Sequence, residues 1–180
     1  MKNTFIIFHG QNCSITIGNG NRLSNCKFEI FGDNNHVIIG DNNLFKESSF
    51  WLEDSGSRIK IGNNNKLCGY THMGIAEGTM LIIENDCLFS KNLYITTTDS
   101  HSILNLQTST RINMPNDVHI SNHVWIGRDV TIGKGVAIAE DVVIGGKSYV
   151  TKSITDSNVI VAGVPAKIIK RNIKWQSERI

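Results

Sequence analysis

Long apolar runs are missing from this chain. The only early one, Phe5 to Phe8, has four residues, too few for a secretory leader core or for a membrane span of about 20 residues. A cytoplasmic location with no membrane span is therefore expected. Charge of one sign is missing too: the net charge is +2, which gives no broad field for nucleic acid. The four cysteines (Cys13, Cys26, Cys68, Cys87) include no CxxC pair and read as small buried hydrophobes in a reducing compartment. Aromatic residues make up 7% of the chain, so stacked Ile, Val and Leu are expected to fill the core. Proline is limited to Pro115 and Pro165.

What is present is a period. Val118/Ile120, Val124/Ile126, Val130/Ile132, Val136/Ile138 and Val142/Ile144 follow one another at steps of six, and Ser121, Gly127, Gly133, Ala139 and Gly145 come directly after the isoleucines. Neither a 3.6-residue helix nor a long strand has that period. A chain that turns a corner every six residues does, and it stacks like residues in columns. Three such steps make a triangular coil of short parallel strands, an all-β fold in which each buried aliphatic contributes roughly 1.5–3 kcal/mol.

One domain, residues 1–180, is expected, in three zones. Residues 1–74 are irregular coils. Ile15/Ile17, Val37/Ile39 and Ile59/Ile61 repeat every 22 residues, which suggests hairpin-like excursions between them. Their corners read GNGN, GDNN twice and GNNN, residues that accept positive φ; an asparagine array also offers sugar-binding groups. Residues 75–150 are the regular β-helix, with Leu81/Ile83, Cys87/Phe89 and Leu93/Ile95 on the six-residue step. The register is lost across 102–117, which reads as an extruded loop. Residues 151–180 form a short C-terminal cap, a final helix or an extended piece, since Pro165 opposes further coils.

The next pair on the step after Leu93/Ile95 is Asp99/His101, so an acid and an imidazole are expected in an aliphatic column where the loop leaves. A neutral imidazole is a good general base near pH 7, and Asp99 can orient it or cap the loop. Trp125 lies between two inward residues and is expected to face out, as a binding platform or a subunit contact. Residues 147–180 hold seven basic side chains and two acids, which suits a phosphorylated ligand.

The segments TTDSHSIL, RINMPNDVHISNHVWIGRDVTI, GGKSYVTK and VIVAGVPAKIIK, together with the six-residue ladder, resemble the hexapeptide-repeat acyltransferases. Within that family the likeness is greatest to bacterial capsule and lipopolysaccharide O-acetyltransferases, including those acting on polysialic acid. The resemblance covers roughly residues 75–175. It implies a left-handed parallel β-helix, a homotrimer with sites between subunits, acetyl-CoA as donor, a carbohydrate acceptor and no metal. It implies His101 as catalytic base and Trp125 beside the acetyl-CoA tunnel, with Gly127. Gly146 and Thr151 fall at pantetheine-lining positions, and Lys152, Lys167 and Lys170 at contacts to the CoA phosphates. Arg128 stands where several relatives have serine.

Rival expectations remain at this level. N-acetylation of a nucleotide-linked amino sugar, or transfer to a small molecule, uses the same base. A β-helical zinc carbonic anhydrase needs three histidines on one metal, for which His101, His119 and His123 are candidates. A non-catalytic β-helix module is the third reading.

Overall fold

The computed structural model describes residues 1–180. The chain winds as a left-handed parallel β-helix of triangular section. The first face carries Phe5–Phe8, Lys27–Ile30, Ser48–Leu52, Thr71–Ile75, Leu93–Thr96, Thr131–Ile132 and Tyr149–Val150. The second carries Ser14–Ile17, His36–Ile39, Arg58–Ile61, Met80–Ile83, Val118–Ile120 and Ala137–Ile138. The third carries Arg22–Ser24, Leu44–Lys46, Lys66–Leu67, Leu88–Phe89, Trp125–Ile126, Val143–Ile144 and Val159–Gly163. Parallel crossovers are normally right-handed; this winding is the exception. No helix is long and apolar enough to cross a membrane.

The coils have two widths. Lys27 pairs with Ser49 and His36 with Arg58, steps of 22 residues. His119 pairs with Ala137 and Thr131 with Tyr149, steps of eighteen. The extra residues form no hairpin, against expectation. They lengthen the first-face strands and the corner that follows them, as between Ile30 and His36. The wider section also changes the filling. Phe28, Phe45, Phe50 and Phe89 are fully buried, and the rings of Phe28 and Phe50 stack at 4.1 Å. The expectation of an almost wholly aliphatic core holds only from Val118 onward.

The GNGN, GDNN and GNNN corners that close the second face give each residue its own task. The third position takes positive φ (Gly20, Asn42, Asn64). At the second position of the upper corner, Asp41 and Asn63 accept the backbone N–H of Asn19 and Asp41 below, at 2.6 and 2.7 Å. The fourth faces inward: Asn43 accepts the N–H of Asn65 at 2.8 Å and donates to the Gly62 carbonyl at 2.9 Å. Buried amides are satisfied this way coil after coil, which engages the array in structure rather than offering it to a sugar. Of the cysteines, Cys26 and Cys87 are buried, and burial pushes the Cys87 thiol up to about 12. Cys68, at an outward position after Leu67, is exposed, and Cys13, in the end coil, is partly so.

The cap is extended. Ala166–Arg171 runs antiparallel to Val159–Gly163, and Pro165 lies in the turn between them. The remaining tail folds back so that the Trp175 indole donates to the His123 carbonyl at 2.9 Å.

Candidate active site

Asp99 and His101 are not in the aliphatic column. In register, Thr71, Met73 and Ile75 meet Leu93, Ile95 and, by continuation of the ladder, Thr97. Thr97 is buried, whereas Asp99 and His101 are exposed. The wide coil gives the first face three inward residues before its corner, so a six-residue count reaches the column too early. Asp99 and His101 belong to the corner, which here opens into the extruded loop. Asn116 closes the breach, its N–H donating to the Thr97 carbonyl at 3.0 Å.

Two latches hold the loop at its base. In the first, the Asp99 carboxylate accepts from Lys134 Nζ at 2.5 Å and from Asn113 Nδ2 at 2.9 Å. The same amide donates to the His101 carbonyl at 2.8 Å, and its oxygen accepts the Ile103 N–H at 2.7 Å. In the second, Glu77 takes both arms of Arg111 and the Thr98 hydroxyl, the latter at 2.5 Å. The Arg111 guanidinium, then the Thr98 hydroxyl, holds the Glu77 carboxyl down at about 2. Lys134, then Asn113, holds Asp99 below the usual carboxylate range. Asp99 thus reaches His101 through the backbone, His101 N–H donating to its carbonyl at 2.7 Å, and its carboxylate is spent on the latch. The imidazole itself stays exposed at the edge between the first and second faces. Glu77, Arg111, Asn113 and Lys134 were not singled out from sequence, because none lies on the six-residue step.

Trp125 projects from the third face and is 38% exposed. One coil on, Gly127 lies against Gly146: a Cβ on Gly127 would come within 2.7 Å of the Gly146 nitrogen. That approach requires glycine at 127, whereas a Cβ on Gly146 would meet the Arg128 carbonyl oxygen at 3.1 Å; together the two glycines leave bare backbone beside the indole. Trp175 from the tail sits 6.0 Å from Trp125 and stacks on His123 at 4.0 Å, a neighbour that tail composition did not signal. Thr151 is on the first face, where it shares a cavity of about 180 Å³ with Asp99, Lys134 and Tyr149. Lys152 and Lys167 line another, of about 290 Å³, with Asp156 and Ile168. Lys170 is exposed on the last strand, opposite Ile160. The structure therefore brings Asp99 to Thr151, Trp125 to Gly127 and Gly146, and Lys152 to Lys167, while His101 shares the corner of Asp99, away from the third face that carries Trp125.

The three histidines weighed as zinc ligands have separate partners. His119 contacts Glu84 at 2.8 Å, His123 contacts Asp141 at 2.7 Å, and His101 is on the loop. They do not gather into a group of three metal-holding side chains.

No family model matches the chain. A curated polysialic acid O-acetyltransferase of Escherichia coli O1:K1 / APEC is 35% identical over 101 residues, 56% of this chain and 33% of that protein; the matched segment is a third of that relative's length. Among solved structures, the polysialic acid O-acetyltransferase OatWY is 32% identical with a TM-score of 0.83, over 100% of this chain and 93% of that one. The polySia-specific acetyltransferase NeuO is 26% identical with a TM-score of 0.73, over 98% and 84%. A hexapeptide-repeat acetyltransferase of Vibrio cholerae, 21% identical with a TM-score of 0.58, shares the fold. With a parallel prism of six-residue steps on one side and a 32%-identical solved structure matched over nearly its full length on the other, this chain belongs to the hexapeptide-repeat acyltransferases of the left-handed β-helix fold.

Proposed function

We propose that the protein is an acetyl-CoA-dependent O-acetyltransferase acting on a sugar hydroxyl of a bacterial surface polysaccharide, a capsule or an O-antigen, in the cytoplasm. The observation that carries this reading is the doubly latched loop base, which fixes the backbone at His101 while leaving its imidazole free at a prism edge. The named activities of OatWY and of the Escherichia coli relative support it.

In this reading His101 takes the proton of the acceptor hydroxyl as that oxygen attacks the thioester carbon. The tetrahedral oxyanion collapses with loss of the coenzyme A thiolate, and no covalent enzyme intermediate is needed. Thiols are acidic enough to leave readily. Backbone N–H groups near the Trp125 strand stabilise the oxyanion, an effect that can reach about 3–4 kcal/mol. Trp125 packs against the pantetheine arm along the bare backbone of Gly127 and Gly146, with Thr151 on the neighbouring face. Lys152, Lys167 and Lys170 meet the phosphates.

In this reading the protein works as a homotrimer, and the placement of its groups supports that assembly. Within one chain His101 is on the edge between the first and second faces, and Trp125 is on the third. A neighbour's edge is needed to bring a base to a thioester. The loop also exposes Ile103, Leu104, Ile112 and Met114, and Leu106 is 91% exposed; such a patch seeks cover.

His101→Ala tests the chemistry. Thiol release with acceptor present should fall roughly 10²–10⁴-fold, the range for loss of a general base, with coenzyme A affinity unchanged by calorimetry. Near-normal turnover removes His101 from this role.

A further inference from the structure

The first face holds a second cavity, below the loop and outside the transfer chemistry. By register, the outward residues Glu29, Trp51, Gly74 and Thr96 form one column. Ser49, His72 and Tyr94 form the column beside it. At Gly74 the first column has no side chain. Its backbone is outside the left-handed region, and an added Cβ would meet only the His72 ring, Nε2 at 3.1 Å. Neither turn geometry nor backbone crowding demands glycine here. What its absence of a side chain does is open a notch between Trp51 and Thr96, walled by His72 and Tyr94 and rimmed by Glu53, Thr98 and Ser100. The cavity is about 270 Å³, just under the ~300–1,000 Å³ of small-molecule sites, which suits a single ring.

The lining is that of a sugar site. The rings of His72 and Tyr94 stack at 5.1 Å, and with Trp51 they offer flat apolar surface that a pyranose can cover with its C–H face. His72 Nδ1 is 3.3 Å from the Ser49 hydroxyl, and its Nε2 faces the space over Gly74 with no hydrogen-bond partner. Burial pushes the His72 pKa below its ordinary value, which favours the neutral ring. Trp51 Nε1 donates to Glu53 at 3.3 Å. Glu53 is the only charged residue in the lining, and no lysine or arginine joins it. Arg111, at the same corner, is held by Glu77. A sugar carboxylate would meet a like charge with no cation to answer it.

We propose that the notch over Gly74 is an acceptor subsite that takes an uncharged pyranose unit, with His72 Nε2 hydrogen-bonded to one of its hydroxyls. This rests on the reading of the chain as a polysaccharide acetyltransferase. Ser100, on the rim, is the residue before His101, so the notch places a glycan at the loop base. The acceptor repeat then contains a neutral sugar there, unlike the acidic polymer named for the relatives.

The test is saturation-transfer NMR on the full chain in its native assembly, without acetyl-CoA. The probes are trisaccharides ending in glucose, galactose or N-acetylglucosamine, and an α2,8-linked trimer of sialic acid. At least one neutral probe should bind, and Gly74→Val and Tyr94→Ala should each weaken it by about tenfold or more. Gly74→Val replaces an outward strand residue, so its melting temperature should move by no more than about 3 °C. Preference for the sialic acid trimer, binding of no neutral probe, or neutral binding that Gly74→Val leaves intact would overturn the proposal. Coenzyme A affinity measured on the same samples separates the two readings. Glycan binding without coenzyme A binding sinks the transferase and keeps the subsite; coenzyme A binding without neutral-glycan binding does the reverse.

Discussion

The lower and upper halves of this solenoid solve one packing problem with different materials. The upper coils, from Val118, take eighteen residues and are filled almost entirely by Val and Ile. The lower coils take 22, and they bury four phenylalanines, Met73 and an inward asparagine ladder. A β-branched side chain suits a narrow axis because its rotamers are few. A wider axis left to valines would hold voids, and interiors pack to a density of about 0.74 or more. Width therefore dictates composition, and the loop bearing the candidate base emerges where one width gives way to the other. The corner that widens the lower coils is the one that opens at Thr98.

The largest expected break of this contrast is Phe50→Ala. Removing the ring that stacks on Phe28 should cost about 3–5 kcal/mol, read by urea denaturation, and a small loss would mean the wide core is loosely filled. Asn43→Ala comes next. It strands the Asn65 N–H and the Gly62 carbonyl in the interior, at about 1–3 kcal/mol, and a neutral result would show that water reaches the ladder. The converse change, Ile132→Phe, should destabilise by about 1–3 kcal/mol through overpacking; full tolerance would erase the distinction of widths. The smallest global effect belongs to the seam itself. Glu77 titrates at about 2 when folded against an ordinary 4.5, so its contribution to the latch is complete above 4.5 and is lost as pH falls toward 2. Opening of residues 98–117, read as hydrogen exchange relative to the intrinsic rate at each pH, should rise as pH falls across that window. Glu77→Gln should raise it already at neutral pH, with a global cost of no more than about 1 kcal/mol.

Much of this was legible in the sequence, and the failures have physical causes. The upper prism follows from the Val–x–Ile columns, because there one residue step equals one side of the section. Trp125 was correctly set outward by the same count. Asp99 and His101 were set in a column they do not occupy, because the count assumed a narrow coil at a place where the coil is wide. Positive φ at the asparagine corners was readable from residue type; the inward asparagine was not, since its role depends on the amide of the coil above. The latch joins Glu77 to Arg111 and Asp99 to Lys134 across some 34 and 35 residues, and no local pattern carries such a pairing. Pro165 did signal the end of the coils, and strand pairing resolved the cap as extended.

The Glu77–Arg111 and Asp99–Lys134 ties have a meaning for how the chain finds its place. Rungs of identical spacing and near-identical residues give a growing stack little to distinguish the right neighbour from the one beyond it, and a strand docked one storey off would still bury its isoleucines. A cross-braced landing between two unlike flights can be assembled in only one alignment. The same feature that fixes the loop base at His101 thus also serves as the bookmark against which every later rung is counted.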